Sequence, residues 1–397
     1  MRDTLLDFSK ISQINLFNEE KLSVSYIKEL GAKRSEENLD KLIILFAQDN
    51  PIDIRREIVS SIGRQLNKDK IYNFIHNNVY SCGFMELVYQ MFRTCLYNNT
   101  DLRFLELQQA ILKHFDNEVL DKMQRYYTYR QSKKSEKHLP KIVNPLLLKG
   151  DNVITLPILP EQSVQLIFSS PPYYNARLYA DYKSYNDYLS KIFKTLEQCF
   201  RVLEDGRFII INVSPVITKR PGREFESIRY PIHFDFHKIL EQAGFYFIDE
   251  IIWIKPEYSV PNRVGGYHQT RLPLSYKPNC ITESLLVYRK AADFLLDKNI
   301  KKYPSGLGIN KAEKYESTNC WYIQPKADKN HPAVFPEELC EKVLTYYSFP
   351  GDVVLDPFAG SGTFGRVATQ MERIPVLCEQ NEKYINIIQQ GGHYDNL

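Results

Sequence analysis

Two short runs carry residue types that can do chemistry: Ser170-Pro171-Pro172-Tyr173 and Asp356-Pro357-Phe358-Ala359-Gly360-Ser361-Gly362-Thr363. Each proline fixes its own φ and drives the residue before it into extended backbone, so the first run forms a rigid elbow. Ser170 Oγ and the carbonyls of Ser170 and Pro171 are then fixed acceptors, with Tyr173 as an aromatic plate beside them. That combination is a receptor for a planar aromatic amine. In the second run Gly360 and Gly362 let backbone approach a ligand closely, and a helix expected over Thr363–Met371 follows. Strand-to-helix turns of this kind hold nucleotide-like cofactors. One strand further on, Glu379 ends Ile374–Glu379, where an acidic residue can take both hydroxyls of a ribose. Taken singly, a Gly-x-Gly is more often a plain turn and a Pro-Pro-Tyr a plain loop. Their weight comes from occurring together, each after an apolar strand.

Those strands belong to a regular alternation. From Ile142 onward strands and helices take turns, which predicts a mostly parallel sheet covered on both faces. Seven strands are expected: Leu146–Lys149, Val164–Ser169, Phe208–Val213, Ile248–Ile254, Ser284–Tyr288, Val353–Asp356 and Pro375–Glu379. Helices are expected at Tyr185–Leu203 and at Ile232–Ala243, the second closed by Gly244. Residues 20 to 130 instead show apolar positions at three- and four-residue steps, such as Leu39, Leu42, Ile43, Leu45 and Phe46, then Ile54, Ile58, Val59 and Ile62. The expected organisation is an α-helical domain over 1–130, a lysine-rich linker over 131–141 and an α/β domain over 142–397.

The α/β part resembles the amino-group DNA methyltransferases that use S-adenosylmethionine. Ser170-Pro171-Pro172-Tyr173 is similar to that family's catalytic tetrapeptide, and Asp356 to Thr363 to its cofactor loop. The catalytic motif comes first, the permuted order of the family's β group. Lys149-Gly150-Asp151, Leu203 to Arg207, Ile251 to Pro256, Glu283 to Lys290 and His331 to Pro336 fall where that order requires. The resemblance covers about residues 142 to 392 and implies a Rossmann-like seven-stranded methyltransferase sheet. It implies that Ser170, Pro171, Pro172 and Tyr173 receive the target base. Asp151, His331, Phe335, Asp356, Phe358, Gly360, Gly362, Thr363 and Glu379 then serve S-adenosylmethionine, with S-adenosylhomocysteine as product and no metal.

Serine in the first motif position leans toward N4 of cytosine, because Asp or Asn is the more usual form in N6-adenine enzymes. Adenine N6 stays as the alternative. The target atom lies inside a duplex, so the base must be extruded into the pocket. The resemblance also admits a restriction–modification setting with a cognate endonuclease. The phrase Asn38 to Ile58, a helix, an Asp-Asn-Pro turn and a helix opening Ile-Arg-Arg, resembles one unit of a HEAT-type repeat, with a looser copy in Gly83 to His114. An alternative of another class follows: the helical part is a docking scaffold and the methylase is inactive. The unbroken motifs speak against it.

Composition sets the remaining bounds. With 397 residues and 43% hydrophobic residues, the chain suffices for two ordinary cores. It shows no apolar run of about 18 residues and no charged-then-apolar start, so neither a membrane span nor a signal peptide is expected, and the cytoplasm is the expected location. Seven scattered cysteines without Cys-x-x-Cys spacing predict buried thiols. A net charge of +3 is small, but basic residues cluster at 122–149, at Lys219, Arg220, Arg223 and Arg229, and at Lys255, Arg263, Arg271 and Lys277. Such loops suit the phosphates of double-stranded DNA, with Lys219, Arg220, Arg223, Arg263, Arg271 and Lys277 as the expected contacts. Two long irregular segments, about 257–280 and 291–320, are the expected readers of the target sequence.

Overall fold

The computed structural model describes residues 22–132, 140–174, 182–217, 222, 224–225, 228–260, 278–307, 317–326 and 335–396. The chain divides into two compact units, Met1–Lys133 and Lys134–Leu397.

The described part of the first unit is seven helices: α1 (Val24–Ala32), α2 (Glu36–Ala47), α3 (Ile52–Gly63), α4 (Lys68–Asn78), α5 (Met85–Tyr97), α6 (Leu102–Phe115) and α7 (Glu118–Ser132). Ser23, Ser35, Asn67 and Asp101 cap α1, α2, α4 and α6 by accepting a first-turn N–H. The expected Asp-Asn-Pro turn falls between α2 and α3. α3 packs on α1, α5 on α3 and α7 on α5, with α6 on α4, so the helices stack as successive pairs. Small residues permit the close crossings. A Cβ on Gly31 of α1 would lie 2.3 Å from Ser61 Oγ of α3, and one on Gly63 of α3 would lie 2.4 Å from Thr94 Oγ1 of α5. Leu39, Leu42, Ile58, Ile62, Met91, Phe92, Phe104 and Ile111 form the core.

The second unit is built on one nine-stranded sheet. Its strands are β1 (Leu146–Lys149), β2 (Val164–Ser169), β3 (Leu203–Val213), β6 (Phe245–Ile254), β7 (Thr282–Lys290), β8 (Cys320–Tyr322), β9 (Val353–Asp356), β10 (Ile374–Glu379) and β11 (Asp395–Asn396). They lie in the order β11-β1-β10-β9-β2-β3-β7-β6-β8, and β4 (Val216–Ile217) pairs separately with β5 (Arg229–Tyr230). All seven expected strands are present. The two extra ones, β8 and β11, are edge strands of three and two residues, too short to show a period. β7 runs antiparallel to both β3 and β6, and the other sheet pairings are parallel.

β2 is buried at every position, as a central strand covered on both sides must be. Ile167, with Ile209 and Ile211 of β3, packs under α9 (Tyr185–Val202) and α10 (Ile232–Gln242). Leu166 and Phe168, with Ile210, pack under the helices Glu337–Tyr347 and Thr363–Gln370. The two clusters alternate along the strands with period two. Among the described residues no helix is long and apolar enough to cross a membrane. The cysteines are all free, but only Cys95, Cys199, Cys340 and Cys378 are buried; Cys82, Cys280 and Cys320 are half-buried, against the expectation.

The segment 291–320, expected to be irregular, is not so throughout. A short helix, Leu296–Ile300, lies inside it. Asn299 Nδ2 donates to the carbonyl of Asp205 at 3.2 Å, Lys302 pairs with Glu204, and the Tyr303 hydroxyl receives Arg207 Nη1 at 3.3 Å. These anchors lie at the start of β3, whereas Asn212, Ser214 and the elbow lie at its other end, about 20 Å away at 3.3 Å per residue. Residues 294–303 are therefore fastened to the body far from the elbow. Of the two segments, 261–277 and 308–316 lie outside the described residues.

Candidate active site

The sheet order brings the two runs together. β9 lies beside β2, so Asp356 at the end of one faces Ser169 at the end of the other. Ser169 Oγ donates to Asp356 Oδ1 at 2.6 Å, which ties the strand carrying the elbow to the strand carrying the glycine loop. Both loops line one cavity of about 400 Å³, a volume within the usual range for small-molecule sites, roughly 300–1,000 Å³.

On one side stand Asp151, Asp356, Phe358, Gly360, Thr363, Glu379 and Phe335. Gly360 and Gly362 have φ of 54° and 76°, in the left-handed region that a side chain resists. A Cβ on Gly362 would also lie 2.8 Å from Ile388 Cγ1, so the turn has no room for one. Glu379 latches this loop: its Oε2 accepts the N–H of Gly360 at 2.8 Å, and its Oε1 accepts those of Gln380 at 3.0 Å and Asn381 at 2.8 Å. A carboxylate offers about four acceptor positions, so three bonds leave room for one ligand hydroxyl. Burial pushes the Glu379 carboxyl up, with the three backbone donors opposing.

Asp356 is enclosed, and burial raises its carboxyl to about 7 against the bonds from Ser169 and from the Phe358 N–H at 3.0 Å. Asp151 caps a short helix, α8 (Asn152–Thr155), through the Val153 N–H at 3.1 Å. Burial pushes its carboxyl up, but Lys191 at 2.9 Å and the cap outweigh that and hold it below the ordinary value. Phe335 stacks on Phe168 with centroids 4.6 Å apart. His331 lies outside the described residues, as do Lys219, Arg220, Arg223, Arg263, Arg271 and Lys277.

On the other side stand Ser170, Pro171, Pro172 and Tyr173, joined by Asn212, Lys255 and Glu283. Ser170 Oγ donates to the Asn212 carbonyl at 3.3 Å, and the Tyr173 hydroxyl donates to Glu283 Oε2 at 3.0 Å. Burial, with the Glu283 charge behind it, pushes the Tyr173 phenol well above its ordinary value, so it stays a donor. Asn212 is 2% exposed, and its Oδ1 is buried without a hydrogen-bond partner. A buried acceptor left unpaired in a cleft is the kind of atom a bound amino group satisfies.

Asn152, Asn212 and Glu283 were not singled out from the sequence as site residues. Asn152 donates to the Pro357 carbonyl at 2.8 Å and props the glycine loop; its place directly after Lys149-Gly150-Asp151 was the available signal. Lys255 was grouped with the phosphate-facing cations. The structure instead pairs it with Glu283, because a carboxylate at 14% exposure needs a counter-charge nearby.

A glycine-cornered cofactor loop and an aromatic-amine receptor in one cleft, on a largely parallel doubly covered sheet, define a nucleotide-cofactor group-transfer enzyme. The particular family is given by comparison: residues 164–390 match the N6/N4 DNA methylase family, and the chain belongs to it. It is 28% identical over 261 residues to the Type II methyltransferase M.BglII of Bacillus subtilis, covering 64% of this chain and 69% of that protein. It is 30% identical over 248 residues to the Type II methyltransferase M.HpaI of Haemophilus parainfluenzae, covering 61% and 72%. The crystal structure of a DNA modification methylase from Thermus thermophilus, complexed with S-adenosyl-L-methionine, superposes with a TM-score of 0.50 at 26% identity, over 64% of this chain and 98% of that one. The chain is a DNA methyltransferase with S-adenosylmethionine as its cofactor, and the tight glycine corner, the half-free Glu379 and the enclosed Asp356 fit that group.

Proposed function

We propose that the chain methylates the exocyclic N4 of cytosine within a specific sequence of double-stranded DNA, as the modification enzyme of a restriction–modification system. One observation carries the reading: the Ser170–Tyr173 elbow and the Asp356–Thr363 loop share a single cavity. When bound, S-adenosylmethionine supplies an electrophilic methyl group. The chain's own residues do the rest by positioning.

The amine of cytosine is a poor nucleophile because its lone pair is delocalised into the ring. Ser170 Oγ and the Pro171 carbonyl hold its hydrogens out of the ring plane and localise that pair, with Pro171 and Pro172 keeping the elbow rigid. Tyr173 stacks on the extruded base. Asp356, Phe358, Gly360, Gly362, Thr363 and Phe335 shape the methionine side of the cofactor site, Glu379 takes one ribose hydroxyl through Oε2, and Asp151 and His331 complete it. Serine at position 170 favours cytosine over adenine. The names of the Type II relatives support the restriction–modification setting. Lys219, Arg220, Arg223, Arg263, Arg271 and Lys277 contact phosphates, and the segments 257–280 and 291–320 read the sequence. The helical unit, a HEAT-like stack in this reading, braces the enzyme or binds a partner.

Tritiated methyl transfer to DNA, followed by nucleoside mass spectrometry, tests this. N4-methylcytosine is the expected product. N6-methyladenine would move the target to adenine, and cofactor binding without transfer to any DNA would favour the scaffold.

A further inference from the structure

Four neighbouring strands each bring one polar side chain to the acceptor side of the cavity. Tyr173 follows β2, Asn212 lies near the end of β3, Glu283 opens β7 and Lys255 follows β6, and these strands are consecutive in the sheet. β7 is antiparallel to both neighbours, so its first residues arrive where β3 and β6 end, with Glu283 in register with Trp253. Glu283 is the hub. Its Oε2 accepts both the Tyr173 hydroxyl, at 3.0 Å, and Asn212 Nδ2, at 2.5 Å; its Oε1 pairs with Lys255 Nζ. Asn212 Nδ2 also lies 3.4 Å from Ser170 Oγ.

The consequences are geometric. A phenol tethered at its hydroxyl cannot swing away about χ1, so the place of its ring in the cavity wall is fixed. The Asn212 amide cannot turn over, because its oxygen would then face the Glu283 carboxylate, and its Nδ2 therefore stays beside Ser170. An ion pair enclosed to 14% exposure on each side is no economical way to fill space, since well-packed apolar residues commonly do as well or better. Its retention at a cavity wall calls for what only a carboxylate does here, which is to receive two donors at once from the receptor.

On the reading given under Proposed function, we infer that Glu283, neutralised by Lys255, is the positioning residue of the acceptor pocket. It acts through Tyr173 and Asn212 and sets both the place of the stacking ring and the Ser170 hydroxyl. Preorganisation of this kind raises turnover rather than cofactor affinity.

The test compares kcat for DNA methylation with the KM and Kd of S-adenosylmethionine in the full-length chain. Glu283→Gln is expected to lower kcat by about tenfold to a hundredfold with cofactor Kd within about twofold. Because that variant leaves Lys255 unpaired, the Lys255→Met/Glu283→Gln double variant removes both charges; it should melt like the wild type yet stay slow. Full recovery of kcat in the double variant would mean the pair only balances charge, and would overturn the proposal. Combining Glu283→Gln with Tyr173→Phe should cost less than the product of the single losses, since both cut one hydrogen bond; strict additivity would also overturn it. Wild-type turnover with an unimpaired Glu283→Gln sinks this inference alone, whereas a wild-type chain that methylates no DNA sinks the functional reading with it.

Discussion

The two units differ in how deeply their most enclosed ion pairs lie. In the helical unit Lys41–Glu37, Lys70 with Glu36 and Asp40, and Arg103 with Asp69 are pairs between solvent-exposed side chains. Its described residues 22–132 hold 15 Lys and Arg against 14 Asp and Glu, a balance without the basic excess that a phosphate backbone favours. The methylase unit also encloses ionisable groups: the pairs Arg207 with Asp352 and Lys255 with Glu283, and the buried carboxyl of Asp356. Exposed pairs contribute little to stability, while enclosed ones carry a desolvation cost and persist where geometry or chemistry requires them. One unit is thus held chiefly by apolar stacking, with buried hydrogen bonds such as Gln65 to the Gly31 carbonyl, and the other tolerates electrostatic cost to build a site.

The comparison breaks most visibly in the cores. Phe92 is fully buried in the helical stack, and Phe92→Ala should lower that unit's stability by about 3–5 kcal/mol. Cofactor affinity measured on folded protein should stay at the wild-type level. A loss of affinity matching the loss of stability would show that the helical core supports the site directly.

A smaller effect sharpens the electrostatic half. Burial keeps the Asp356 carboxyl protonated up to about 7, whereas in the unfolded chain it ionises near its ordinary 3.8. Between those values the folded protein holds a proton that the unfolded chain has lost. Stability from this group is therefore complete below about pH 4, falls as pH rises toward 7 and levels off above it. The slope has an upper bound of about 1.4 kcal/mol per pH unit. Asp356→Asn keeps both acceptor bonds from Ser169 and Phe358 and cannot titrate. Its melting temperature, followed from pH 4 to 8, should decline less than the wild type's, Glu379 supplying the remainder; an identical decline in both proteins would mean that Asp356 is ionised in the fold. Glu36, Glu37 and Asp101 of the helical unit shift the other way, held low by hydrogen bonds from Lys70, Lys41 and Arg103, so their small contribution fades only in acid.

Legibility in the sequence followed the same division. β1, β2 and β9 ended where expected, because short apolar runs bounded by Gly, Pro and Asp leave little freedom. Ser170–Tyr173 and Gly360–Gly362 were readable because proline and glycine act on their own backbone. Glu283 was read only as the first residue of a strand, and Lys255 as a loop cation. Their pairing depends on β7 and β6 being neighbours, a fact of sheet order that no local pattern carries. Residues 294–303 were read as irregular for the same reason: their polarity looked like an open loop, and only the fold shows Asn299, Lys302 and Tyr303 tied to the start of β3.

The smallest expected effect isolates what exposure does to an ion pair. Lys70 Nζ sits 2.6 Å from Asp40 and 2.9 Å from Glu36, well within ion-pair distance, yet its side chain is 37% exposed. Water and salt screen such a contact, and holding three flexible side chains together costs entropy. Lys70→Met should therefore leave the melting temperature within about 2 °C. Lys255→Met, which strands the Glu283 carboxylate inside the cavity wall, should lower it several times further. The two substitutions remove the same group and differ in its surroundings. Equal shifts for both would mean that enclosure does not govern these pairs, and the contrast between the units would lose its physical basis.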